Sequence, residues 1–273
     1  MRLYTLDTGF FKLDGGAMFG VVPKTIWNKT NPADANNLCT WAMRCLLVED
    51  GDRLILIDTG IGTKQDDRFF SHYYLHGDAT LAGSLASKGF TPDDVTDVFL
   101  THLHFDHCGG AVLPGGKLAF PKATYWSNES HWDWAVHPND REKASFLKEN
   151  ILPIQESGQL RFLDAEDAGI PFKVRRAEGH TAAMMLPQIG YKGRTIVYMA
   201  DLLPSVGHLP LPYVMAYDMF PLTTLQEKKA FLEEAVDQQY VLFFEHDPVN
   251  ECCILGRTEK GIRAVETFAL NAL

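Results

Sequence analysis

Thr101-His102-Leu103-His104-Phe105-Asp106-His107-Cys108-Gly109-Gly110 sets three imidazoles and one carboxylate within six consecutive residues, 102–107, directly after an apolar run at 95–100. Only 10 of the 273 residues are histidine, so this density is not a by-product of composition. Neutral imidazole nitrogen and carboxylate oxygen are the donors that zinc and similar divalent ions accept, and the cluster reads as a metal-ligand loop. Upstream, residues 80–88 suit a helix ended by Gly89, and Thr91-Pro92-Asp93-Asp94 opens a turn with proline at its first position. Residues 95–100 then form the strand that delivers the loop. Helix, turn, strand and ligand loop in succession predict an α/β fold with its chemistry at a sheet edge.

Two ions need donors from several directions, so the rest of the chain must supply more. His180 follows the run 172–179, Asp201 follows 195–200, and His246 follows 241–245, each where a strand-like stretch ends. The donors are then His102, His104, His107, His180, His246, Asp106 and Asp201. Six can be shared three to each ion with one carboxylate bridging, which leaves positions for solvent and a substrate oxygen. Such a pair of divalent ions lowers the pKa of a shared water and polarises the bond it attacks, chemistry suited to an ester, lactone, thioester, amide or phosphoester. Zinc is expected ahead of iron or manganese, which the same donors also accept. A dinucleotide fingerprint, a Walker motif and a G-x-S-x-G elbow are all missing, so nucleotide-dependent redox chemistry is not expected.

The chain is expected to form one domain, 1–273, with ample length for a buried core. Lys plus Arg is 25 against 35 for Asp plus Glu, a formal charge of −10 that repels a phosphate backbone. A small-molecule substrate is therefore expected and a nucleic-acid partner is not, since bound cations would reverse the sign only locally. No apolar run approaches the roughly 18 residues of a membrane span, and residues 1–7 lack the apolar core of a signal peptide. The expectation is a cytoplasmic protein without membrane association, its oligomeric state open and a homodimer one option. Five cysteines, Cys39, Cys45, Cys108, Cys252 and Cys253, lack a framework spacing, so no structural disulfide is expected and Cys108 reads as a small packed residue.

Residues 3–13 suggest a strand that ends in the turn 14–16, followed by a long loop, 17–38, in which Met18, Phe19 and Trp27 either line a pocket or seal a satellite cluster. Residues 41–49 and 54–58 suggest a hairpin. Asp58 at its exit either holds a ligand histidine through the second ring nitrogen or starts a turn. His72 and His76 read as surface residues. The aromatic-rich stretch 120–153 contains His131, outside the ligand set, and a helix expected over about 140–150. Residues 202–221 form a loop after Asp201 with His208, Tyr213, Tyr217 and Asp218 as its polar candidates. Thr224-Leu225-Gln226-Glu227 reads as a capping box, and 252–273 is short and mixed.

At the ligand loop, Gly179-His180-Thr181, Ala200-Asp201 and Glu245-His246-Asp247, with Asp58-Thr59-Gly60 before them, the chain resembles the metallo-β-lactamase superfamily over nearly its whole length. The resemblance implies an αβ/βα sandwich, two mixed sheets face to face between outer helices. It implies that His102, His104 and His180 hold one metal, that Asp106, His107 and His246 hold the other, and that Asp201 bridges them. Within the superfamily, Leu3-Tyr4, the stretch 45–49, the stretch 90–94, His102-Leu-His-Phe-Asp-His107 and Phe243-Phe-Glu-His-Asp247 are most similar to the N-acyl homoserine lactone lactonases. The implied activity is hydrolysis of an ester or lactone by a metal-activated hydroxide, with phosphodiester or organophosphate hydrolysis or a thioesterase as the alternatives on this fold. Those lactonases carry a tyrosine shortly after the bridging aspartate, where this chain has Leu202-Leu203-Pro204. Tyr213 or Tyr217 then becomes the candidate for that substrate contact, beside Asp106 as the catalytic carboxylate.

Overall fold

The computed structural model describes residues 1–163 and 169–273. The first sheet runs in chain order: β1 (Arg2–Asp14), β2 (Leu38–Asp50), β3 (Arg53–Ile57), β4 (Asp97–Phe99), β5 (Thr124–Ser127) and β6 (Leu160–Phe162). β1, β2 and β3 pair antiparallel, and β3 to β6 pair parallel. The second sheet reverses that order in space, from β12 (Gly261–Phe268) and β11 (Cys252–Thr258) through β10 (Val241–Phe243), β9 (Arg194–Tyr198) and β8 (Met184–Tyr191) to β7 (Lys173–Ala177). The helices are α1 (Gly15–Phe19), α2 (Lys24–Trp27), α3 (Asp67–Ser71), α4 (Leu81–Ser87), α5 (Phe105–Cys108), α6 (Glu129–Val136), α7 (Lys148–Glu156) and α8 (Pro221–Asp237). None among the described residues is long and apolar enough to cross a membrane.

Period-two alternation explains the layers. Leu46, Val48, Ile55 and Ile57 pack with Met184, Leu186 and Val197 of the second sheet, between the sheets. Their neighbours Leu47, Leu54 and Leu56 point the other way, against Leu85 of α4, Trp132 of α6 and Ile151 and Ile154 of α7. Full burial of such side chains contributes roughly 1.5–3 kcal/mol each before the entropy of ordering is subtracted. This is the αβ/βα sandwich, and its strand directions decide where the chemistry lies. β3 and β4 are parallel and end at Asp58 and the ligand loop, whereas β7, β9 and β10 share a direction and end at His180, Asp201 and His246. Backbone bonds stitch the two sheets at that edge: Ala42 N–H donates to His246 O at 3.0 Å, Arg44 N–H to Glu245 O at 3.0 Å, and Met185 N–H to Thr101 O at 2.9 Å.

Several segments depart from expectation. The helix anticipated near 140–150 is replaced by α6 and α7, with turns between them. Asn128 caps α6 by accepting the His131 N–H at 2.8 Å, and Asn139 Oδ1 accepts from the N–H groups of Arg141 and Glu142, which holds the turn. α8 starts at Pro221 rather than at a cap on Thr224, with proline fixing φ in its first turn. Glu227 instead accepts the N–H groups of Glu178 and Gly179, beside His180. The loop 17–38 is entered through α1 and contains α2, and the C-terminal residues form the β11–β12 hairpin that closes the second sheet.

Lys228 of α8 is 1% exposed and donates to Pro210 O and Tyr213 O, both at 2.8 Å, which pins the loop after Asp201. Burial pushes its ammonium down to about 7, with Asp218 offsetting part of the effect. An unfolded lysine titrates near 10.4. Between these values the unfolded chain binds a proton that the folded chain does not, so this group makes stability rise with pH across that window. Below pH 7 the cost of the buried charge is fully present. Lys228→Met is expected to remove the dependence: the difference in unfolding free energy from the parent should change by on the order of 3 kcal/mol between pH 7 and 10. Denaturant titrations at both pH values check it, and a constant difference would contradict the assignment.

Candidate metal centre

All seven sequence-derived donors converge at the sandwich edge, and all are buried. One group comprises His102, His104, His180 and Asp201, and another Asp106, His107 and His246. His104 Nδ1 lies 3.1 Å from His102 Nε2 and 3.1 Å from His180 Nε2. Across the site, His107 Nε2 lies 3.1 Å from His246 Nε2. Asp106 Oδ2 stands 3.7 Å from His246 Nε2 and 3.8 Å from His107 Nε2. Asp201 sits between the groups. Its Oδ2 is 3.1 Å from His180 Nε2, and its Oδ1 is 3.1 Å from His246 Nε2 and 3.6 Å from His107 Nε2.

The rear nitrogen of every ring has its own acceptor. His102 Nδ1 reaches Thr101 Oγ1 at 3.1 Å, and that hydroxyl gives its own proton to Asp58. His104 Nε2 faces Glu142 Oε1 at 2.9 Å, His180 Nδ1 faces Asp218 Oδ1 at 2.8 Å, and His246 Nδ1 faces Ala42 O at 2.8 Å. His107 Nδ1 lies 3.2 Å from Asp58 Oδ2 and 3.0 Å from Glu245 Oε2. With each rear N–H donating outward, each neutral ring turns a lone pair inward. Five lone pairs and two carboxylates then face one another with no hydrogen between them, and Asp201 Oδ1 has no hydrogen-bond donor. Divalent cations seated among them resolve this arrangement, and the residues present fit a pair of such ions.

The electrostatics agree. Burial pushes His180 and His246 down, but Asp201 outweighs it and lifts them to about 10 and about 9, so the cluster draws positive charge toward its centre. Asp58, His107 and Glu245 form a third group of potential ligands. It uses the rear face of His107, and burial beside Asp58 raises the Glu245 carboxyl to about 7. Orientation of the ring explains that pair better than a further ion does.

Sequence reading left Asp58 open between two roles, and here it stands behind His107. It gave Glu142 and Glu245 no role. Glu142 is 1% exposed and also accepts Trp134 Nε1–H at 2.7 Å, while its bond with His104 outweighs burial and holds its carboxyl down at about 2. Glu142→Ala removes the acceptor of His104, Trp134 and Asn139 and frees the His104 ring. Metal affinity is expected to fall 10–100-fold, measured by chelator competition. Unchanged affinity would show that Glu142 does not set the ring. His131 lies outside both ligand groups, yet it is fully buried under the loop: its Nε2 accepts the Leu103 N–H at 2.9 Å and its Nδ1 donates to Ala182 O at 2.6 Å. Cys108 Sγ donates to Leu103 O, and burial pushes its thiol up to about 12, so it packs rather than ligates.

A cavity of about 430 Å³ opens over His104, Asp106, Asp201 and His246. Tyr73, Phe105, Met215, Tyr217 and Met219 give it apolar walls, and Arg141 contributes a cation. Met18 lines it too, whereas Phe19 and Trp27, in the same apolar cluster as Met18 and Trp41, stack on each other at 5.3 Å and are not part of the cavity wall. Tyr213 packs edge-on against Phe19 and is not part of the cavity wall. His208 stacks on Phe19 at 4.5 Å and bonds Met18 O and Ser205, a structural position. A larger cavity, about 540 Å³ between Phe10, Leu85 and Phe120, is lined by none of the seven donors, so the chemistry and not the volume selects the site.

Comparison with known proteins agrees with this geometry. The description of the metallo-beta-lactamase superfamily matches residues 44–246. The N-acyl homoserine lactonase of Bacillus thuringiensis is 25% identical over 162 residues, covering 56% of this chain and 56% of that protein, so the match spans about half the length of this curated relative. The crystal structure of a probable metal-dependent hydrolase from Staphylococcus aureus superposes with a TM-score of 0.91 at 27% identity, over 100% of this chain and 98% of that one. AidC, described as a dizinc quorum-quenching lactonase in complex with a product, superposes with a TM-score of 0.82 at 25% identity, over 98% of this chain and 95% of that one.

Proposed function

Because the chain belongs to the metallo-β-lactamase superfamily, we propose that it is a dinuclear-metal hydrolase of small esters or lactones, with acyl homoserine lactone-like compounds as the reference substrates. One observation carries this reading: the two oxygens of Asp201 each face a different set of histidines, as a bridging carboxylate requires. His102, His104 and His180 would hold one ion, and Asp106, His107 and His246 the other. Two such ions supply a water acidic enough to attack near neutral pH and a Lewis acid for the substrate oxygen. Zinc suits the donors best, five imidazoles and two carboxylates, and AidC is described as dizinc.

The remaining work falls to side chains of this chain. Asp106 lines the cavity as well as facing His246, so its carboxylate is placed to take the proton released by the attacking water and pass it to the departing oxygen. Tyr217, from the loop after Asp201, lines the same space, and a phenol keeps its proton near neutral pH and so stays a donor. Tyr213 supports that loop from outside, where its carbonyl accepts from Lys228. The methionine and aromatic walls favour an apolar acyl group and exclude bulk water. Arg141 supports a second reading, since a guanidinium over two cations also suits a phosphoester.

The test is turnover of matched lactone, carboxylic ester, thioester and phosphoester substrates by metal-loaded protein. The lactone or ester should lead by at least about tenfold in kcat/KM, a margin of roughly 1.4 kcal/mol. A leading phosphoester would shift the assignment to the second reading, and no turnover of any of the four would remove both.

A further inference from the structure

Asn128 and His131 join the two halves of the chain directly beneath the ligand rings. Asn128 caps α6 and His131 lies in its first turn; both are 0% exposed, and neither belongs to the ligand set. On one side His131 Nε2 accepts the N–H of Leu103, the residue between His102 and His104, at 2.9 Å. On the other its Nδ1 donates to Ala182 O at 2.6 Å, and Asn128 Nδ2 donates to Ala183 O at 2.8 Å. Ala182 and Ala183 close the turn that carries His180 from β7 to β8. A short stretch of the first half of the chain therefore grips both segments that bring His102, His104 and His180 together.

The grip supplies bonds that regular structure does not. Leu103 belongs to no strand or helix, so its N–H goes to His131 and its carbonyl to Cys108 Sγ–H. Its side chain is buried in the outer core, and along an extended segment the neighbours His102 and His104 then project to the opposite side. Ala183 has φ +54, a left-handed conformation that disfavours any residue with a Cβ. It persists because both its polar groups are held: the N–H donates to Glu178 Oε2 at 2.7 Å, and the carbonyl accepts from Asn128. Imidazole suits the central place because its acceptor and its donor sit on one rigid ring with no torsion between them. Asn128 Oδ1 also accepts the His131 N–H at 2.8 Å, which sets the two side chains relative to each other.

We propose that Asn128 and His131 are positioning residues that clamp the His102–His104 segment to the His180 turn and so fix the spacing of the three rings at one ion. This rests on the dinuclear reading above and adds to it the side chains that hold one half of the centre in place. Ligands must meet an ion within a few tenths of an ångström, so a loosened turn loses affinity even when every ligand is still present. The other ion depends on different supports. His107 is set by Asp58 and Glu245, and His246 by Ala42 O. Damage to the clamp should therefore fall on one ion of the pair.

His131→Ala removes the acceptor and the donor, whereas His131→Gln keeps one of each on a flat amide; Asn128→Ser keeps a capping oxygen but loses the reach to Ala183 O. Metal-free proteins are titrated with zinc against a chelator, and a dissociation constant is read for each ion. In His131→Ala one constant should weaken by about 10–100-fold while the other stays within about threefold of the parent. His131→Gln should bring the affected constant back to within about threefold, and Asn128→Ser should weaken the same constant by about three- to tenfold. Anomalous scattering from crystals given one equivalent of zinc identifies the site: in His131→Ala the ion should lie at Asp106, His107 and His246. Equal weakening of both constants, or no rescue by glutamine, marks a general structural role and overturns the proposal. If His131→Ala does not fold, Asn128→Ser and His131→Gln decide the matter on the same constants. A parent that binds no zinc ends the dinuclear reading and the clamp with it, whereas a parent with two ions beside unaltered variants ends the clamp alone.

Discussion

Asp106→Asn is expected to lose metal and hydrolytic turnover together while keeping the fold. The carboxamide matches the carboxylate in shape, and the side chain sits at the cavity floor, not in an apolar core. What changes is its donor chemistry. An amide oxygen is a weaker, uncharged ligand, and its nitrogen would turn N–H groups toward His107 and His246, whose facing nitrogens already carry lone pairs. The ion held by those two rings should be lost or bind far more weakly, and the proton acceptor is lost with it. Loss of several kcal/mol of transition-state stabilisation corresponds to roughly a thousandfold in rate. Metal per chain and turnover on the same sample check this, beside the melting temperature of the metal-free proteins. Parental turnover from a metal-depleted variant would remove the mechanism.

Gly109→Ala should be among the most destabilising single-atom-scale changes in the chain, for reasons of space alone. Gly109 has φ −60, so its backbone suits any residue. A Cβ there would lie 2.1 Å from Ile61 O and 2.6 Å from Ile61 C, and backbone cannot swing aside as a side chain can. The loop that must yield leads from Asp58, so displacing it also moves a carboxylate off the back of His107. Overpacking of this severity costs about 3 kcal/mol, which in a protein of this size lowers the melting temperature by roughly 6–12 °C. Gly190→Ala is the matched control. It lies in β8, and a Cβ there meets nothing within 4 Å. Equal melting temperatures for the two variants would show that the glycine-lined contact is loose.

The candidate donors were legible because the loop 102–107 and each of His180, Asp201 and His246 follow a strand of their own, and strands that end at a shared edge bring their exits together. The sandwich followed once the same residues were matched to a family. The supporting carboxylates were harder to read. Glu142 falls in a stretch that scans as helix, and it turns inward only because Asn139 holds the preceding turn. Glu245 adjoins His246, yet it stands behind His107, a partner 138 positions away that adjacency does not suggest. Asp218 was read as a polar candidate for contacting substrate, yet it stands behind His180, and that contact depends on how the loop folds back, with Met219 N–H donating to His180 O at 3.0 Å. The C-terminal hairpin escaped notice because β11 opens with consecutive buried residues, Cys252 and Cys253, rather than with alternation. Tyr73 had no sequence signal at all, since nothing local indicates that its segment folds over the ligand loop.

Anomalous diffraction from metal-loaded crystals is the most direct measurement. Two peaks are expected, one within bonding distance of His102, His104 and His180 and the other of Asp106, His107 and His246, with a separate oxygen of Asp201 reaching each. A single ion seated behind His107 between Asp58 and Glu245, or hydrolysis that persists after both ions are stripped by a chelator, would contradict the account.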